Sequence, residues 1–215
     1  MRSIVPMEGN PWPHDMTITI DDSPHQLLEL LWVREAWGLH PAGDLPPLLV
    51  DTPPRAGDPV ERDVWEAAWP EVWADVVGHA GRLLDPSWLE DLGGTANGSR
   101  ERSELLNRIV GPSWRGRFGD GAFGDGYRAW GDARSATLPE RHPRSLAESP
   151  ERRSLDALVP AWKAGLVKVV TIPCRGEHTR ILGGSGLLVT DATRDDPGRY
   201  SAALRMFAQA QPASR

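Results

Sequence analysis

The chain has 215 residues, of which 40% are hydrophobic and 25% charged, and its formal net charge is −6. Such a mix specifies a single globular domain and excludes wholesale disorder. The longest nearly apolar run, residues 27–33, is broken by Glu29 and falls far short of the roughly 20 residues that cross a bilayer, so no membrane role is expected.

Residues 1–15 hold Pro6, Pro11 and Pro13 and show no periodicity, which reads as a flexible N-terminal tail. They also lack the charged start and apolar centre of a secretory signal. Residues 16–215 then form one α+β domain, with Met16 as an alternative start. Thr17-Ile18-Thr19-Ile20 alternates as a short strand does.

An Asp or Ser followed by Pro recurs at Ser23-Pro24, Asp58-Pro59, Asp85-Pro86, Ser149-Pro150 and Asp196-Pro197. The side-chain oxygen can accept an unpaired N–H of a first helical turn, and proline fits the first helical position. Helices are therefore expected to start at all five. Asp58 with Glu61 further resembles a capping box.

The first of these helices, about 24–37, is apolar nearly all round and should be buried. Residues 46–50 read as extended, with edge-strand character. The second helix, about 59–78, places Trp65, Trp69 and Trp73 four residues apart on one side with Val72 and Val76, and Pro70 should kink or split it. Shorter helices follow at 86–92 and 99–110. Residues 111–148, rich in Gly and Pro, read as the irregular part of the domain.

Beyond the Ser149 cap, a helix with Leu155, Leu158, Val159 and Trp162 leads to strands near 166–172, 179–182 and 187–191, with Gly183-Gly184-Ser185-Gly186 as a turn. A last helix spans 197–209. With the strand near 17–20, these elements predict a small, mostly antiparallel sheet covered by about six helices.

Charge is divided unevenly. Residues 1–98 carry 17 acidic and 5 basic side chains, whereas residues 99–215 carry 13 and 19. The two halves should attract each other, or the second should present a basic face. Arginine outnumbers lysine 22 to 2, a bias expected from GC-rich bacterial or phage coding.

Cys174, His178 and Asp191 form the most enzyme-like set, because a thiol needs a base and the imidazole needs a carboxylate to hold its tautomer. Cys174 follows an apolar strand, however, and the expected state is a packed, inert thiol. One cysteine excludes an internal disulfide and a Cys-rich metal site, and fits a reducing cytoplasm. His25 with Glu29, one helical turn apart, supplies too few ligands for zinc. No metal and no cofactor are expected.

The segment 114–130 interleaves arginines with aromatic rings, as single-strand nucleic-acid binders do, but Asp120 and Asp125 dilute its charge. Trp114, Arg115, Arg117, Phe118, Arg128 and Trp130 are taken as candidate partner-binding residues. The functional expectation is a non-catalytic cytoplasmic interaction protein, immunity-like, antitoxin-like or an accessory assembly protein, with a protein partner. The alternatives are a small cysteine-dependent hydrolase or transferase, and a nucleic-acid-binding accessory protein. The latter requires Arg115, Arg117, Arg128, Arg141, Arg144, Arg152 and Arg153 to share one face.

Overall fold

The computed structural model describes residues 11–83, 87–141 and 145–211. In chain order the elements are β1 (Thr19–Asp21), α1 (His25–Ala36), α2 (Arg62–Ala80), α3 (Trp88–Gly93), α4 (Arg100–Val110), α5 (Trp114–Phe118) and α6 (Asp125–Arg141). There follow α7 (Pro150–Arg153), α8 (Leu155–Lys163), β2 (Lys168–Ile172), β3 (Thr179–Leu182), β4 (Gly186–Thr190), α9 (Asp191–Asp195) and α10 (Pro197–Ala210). Short 3-10 turns lie at Asp120–Ala122 and Leu146–Glu148.

The α+β class holds, but the sheet is mixed rather than mostly antiparallel. Its order is β1-β2-β4-β3. β1 runs parallel to β2 and β2 parallel to β4, while β3 is antiparallel to β4. The cause is topological. The β3–β4 hairpin turns at Gly183 and Gly184, both at positive φ, and returns β4 into the place beside β2. β3 is left at the edge. Parallel neighbours need long crossovers, and nearly the whole helical run from α1 to α8 lies between β1 and β2.

Alternate residues of β2 and β4 feed two separate cores. Val170, Ile172 and Leu188 pack on α1 and α2 through Leu27, Leu31, Val72 and Val76. Val169, Leu187 and Val189 pack on α8 and α10 through Leu158, Leu204 and Phe207. A strand covered on both faces reads as a nearly continuous apolar run, which explains residues 166–172, where only Lys168 and Thr171 intervene.

Two of the expected caps form as drawn. Ser149 accepts the Arg152 N–H and Asp196 accepts the Arg199 N–H, each with proline in the first turn. Two do not. α1 starts at His25 with Pro24, not Ser23, in the cap position and no side-chain cap bond. α2 starts only at Arg62, and Asp58 instead receives hydrogen bonds from Arg55 and Arg62. Those two guanidiniums hold its carboxyl below the usual range. The start expected at Asp85-Pro86 lies outside the described residues, as do residues 1–10 of the expected tail.

Three further readings change. Trp12, within the expected tail, is 4% exposed, and its indole donates to the Met16 carbonyl at 3.0 Å. The packed chain thus begins before Met16. α2 runs through Pro70 as one continuous helix. Segment 111–148 is largely helical: Ser113 caps α5 by accepting the Gly116 N–H, Gly119 ends it at φ 72°, and α6 carries Gly126 and Gly131 within it. Rings at Phe123, Tyr127 and Trp130 anchor this segment to the α1 core, so packing overrides the low helix propensity of glycine.

Candidate functional site

The thiol comes first. Cys174 follows β2 and pairs with Leu49 in an isolated antiparallel bridge, the one ladder contact made by the 46–50 segment. It is fully buried, and burial pushes its thiol up to about 12. A thiol so placed carries almost no thiolate at neutral pH. The adjacent Arg175 is turned away from it: its guanidinium donates to the Leu49 carbonyl and to Thr52 Oγ1. His178 is half-buried, and burial lowers its pKa. Its backbone carbonyl accepts the Thr190 N–H, which ties the loop to the end of β4. Asp191 opens α9, whose cap is Thr190. The three are thus neighbours in the fold by way of β2 and β4, with the sulfur sealed in the α1 core.

The candidate partner-binding residues divide between core and surface. Trp114 is fully buried, edge-on to Trp65 at 5.3 Å and tilted on Phe118 at 4.5 Å. Trp130 is 9% exposed, and its indole donates to the Asp51 carbonyl at 3.3 Å. These rings hold the fold and present no contact surface. Arg117 is exposed and pairs with Glu71, and Arg128 pairs with Asp125. All ten tryptophans are buried or half-buried. Trp69 and Trp73 lie inside as their spacing implied, stacked at 5.2 Å, with the Trp69 indole donating to the Leu30 carbonyl at 2.9 Å.

Five of the seven arginines that were to form one face have described side chains, and they scatter; Arg144 lies outside the described residues. Arg115 turns inward to α1. Arg152 sits over the Trp12 ring on the opposite side of the sheet, and Arg153 donates to the Asp195 carbonyl. The basic surplus of the second half is thus spread over both layers and largely paired.

One buried constellation was only half legible. Glu29, 1% exposed on α1, receives His25 Nε2 at 3.2 Å and Arg115 Nε at 2.5 Å. Arg115 also bonds Asp120 and lies 3.9 Å from the centre of the Phe123 ring. Tyr127 stands edge-on to Trp32, and burial together with the Glu29 charge raises its hydroxyl to about 12. The pair His25 and Glu29 is legible from its helical spacing. Arg115, 86 positions away, is not. A guanidinium as third partner makes this an ion-pair knot and not a metal centre, and the described residues contain no group of three metal-ligating side chains.

Comparison with family models, curated proteins and solved structures returns no match.

Two surface features remain. The first is the helical pair α3 and α4, which meets the body where Gly111 packs closely on His79. α4 is amphipathic, with apolar residues Leu105, Leu106, Ile109 and Val110. Only Leu105 is buried; Leu106 is 39% and Val110 46% exposed. The second is a cleft of about 280 Å³ where β1, the start of α1, the end of α2 and the end of α4 converge. No described helix is long and apolar enough to cross a membrane.

Proposed function

We propose that this is a non-catalytic protein-interaction module that docks a partner protein on the uncovered face of α4. The observation that carries the reading is the mismatch between the pattern of α4 and its burial. An amphipathic helix in a finished monomer buries its apolar stripe. Here Leu106 and Val110 remain in solvent, beside Arg108, whose guanidinium has no partner among the described residues. An apolar strip flanked by an unpaired cation suits an apolar segment bearing carboxylates.

The inert setting of Cys174 supports the non-catalytic part of the reading, and a lone reduced cysteine fits a cytoplasmic site of action. An immunity-like, antitoxin-like or accessory assembly role in a bacterium or phage belongs to the same proposal. The test compares partner enrichment from the encoding cells by the wild-type chain and by Leu106→Glu. Loss of one defined partner with unchanged helicity and Tm supports the proposal. Equal enrichment by both chains overturns it.

A further inference from the structure

We infer that the cleft at the start of α1 binds a small organic anion with an apolar body. Its volume of about 280 Å³ sits at the small end of ligand-sized pockets. Five ionisable side chains line it: Asp21, His25, His79, Arg82 and Lys168. Four are bases and one is an acid.

The hydrogen bonds decide which of these are available. Lys168 Nζ lies 3.3 Å from Asp21 Oδ2, so the single carboxylate of the cleft is already neutralised. His25 Nε2 is held by Glu29 and His79 Nε2 meets the Ile109 carbonyl at 3.1 Å. The Arg82 guanidinium, just past the end of α2, has no hydrogen-bond or ion-pair partner among the described residues. The cleft therefore keeps an unspent guanidinium, and the Lys168 ammonium, though its charge is balanced by Asp21, still has two hydrogens to donate.

Lys168 is one of two lysines in a chain with 22 arginines, and its side chain is 14% exposed. Its partial removal from water strengthens its pull on an anion. Leu27, Val76, Ile109 and Val110 supply an apolar wall. The recognised chemistry is thus an anionic oxygen head group on a short aliphatic body.

The test is calorimetric titration of the full chain with octanoate, octanol and inorganic phosphate. Saturable, one-to-one binding of octanoate is expected, with octanol and phosphate each at least about tenfold weaker, because a charge-assisted contact and apolar burial are both required. Arg82→Glu, an exposed change that leaves the core intact, should weaken octanoate by at least about tenfold, and Lys168→Met should do the same. Absence of saturable octanoate binding overturns the inference. So does equal binding of octanol, or undiminished binding by Arg82→Glu. The cleft shares Val110 with the α4 strip but is not lined by Leu106, so Leu106→Glu should bind octanoate as the wild-type chain does even where it loses the partner.

Discussion

Glu29 on α1 and Arg115 on α5 stand 86 positions apart in the chain and meet at 2.5 Å, with the carboxylate sealed from water and the guanidinium partly open to it. The contact pins the 114–130 segment onto α1. It also gives Arg115 a structural duty where a partner contact was expected.

Removal of Arg115 should therefore be costly. Arg115→Met leaves a buried carboxylate with His25 alone, and a loss of about 3 kcal/mol is expected in urea unfolding. Arg117→Met breaks only the exposed pair with Glu71 and should cost under about 1 kcal/mol. Equal, small losses from both would show that the Glu29 pair is not a fastening point.

Stability should depend on His25 across neutral pH. The hydrogen bond to Glu29 raises its folded pKa above the ordinary 6.5. Its contribution is then complete below about pH 6.5 and is lost as pH rises through the folded value. His178 acts in the opposite sense: burial lowers its pKa, so stability falls as pH drops below about 6.5. In His25→Asn the decline above about pH 6.5 should vanish while the acid-side decline persists. An unchanged alkaline slope in that variant would refute the assignment.

Cys174 should be silent toward thiol reagents in the native state at neutral pH, and should react fully once the chain is unfolded. Its burial and raised pKa both oppose attack. Cys174→Ala should cost about 1–2 kcal/mol from lost packing, without loss of partner binding. Rapid labelling of the folded chain together with loss of function would instead point to thiol chemistry.

Trp12 should behave as a core residue. Deleting residues 1–15, or replacing Trp12 by Ala, uncovers the side of the α8 and α10 core that holds Met16 and Ile18. A fall in Tm of roughly 5 °C or more is expected. An unchanged melting temperature would restore the reading of that segment as a dispensable tail.

Local rules made much of the molecule legible in the sequence. A side-chain oxygen and a proline one residue apart act within a single turn, so the starts of α7 and α10 could be read directly. The four-residue spacing of Trp65, Trp69 and Trp73 is a property of any helix, and it placed Trp69 and Trp73 inside. Glycines at 183 and 184 marked the hairpin because only they accept its positive φ. Pro70 misled because its cost is local, whereas the packing of Trp69 and Trp73 on both sides of it is not. Strand order was beyond reach for a similar reason. Nothing within residues 179–190 says whether β4 returns beside β2 or leaves β3 there, since both arrangements keep the same hairpin and the same alternation. The choice rests on two cores closing at once, one on each face of β2 and β4. The meeting of Glu29 with Arg115, and of Lys168 with Asp21, follows from that closure. Sequence by itself determined where much of the chain coils, extends and turns, but not α5 and α6, whose glycines are held helical by packing on α1. Only the tertiary structure decided which charges are spent on one another and which, like that of Arg82, are left over, because pairing depends on distance in space and not on distance along the chain.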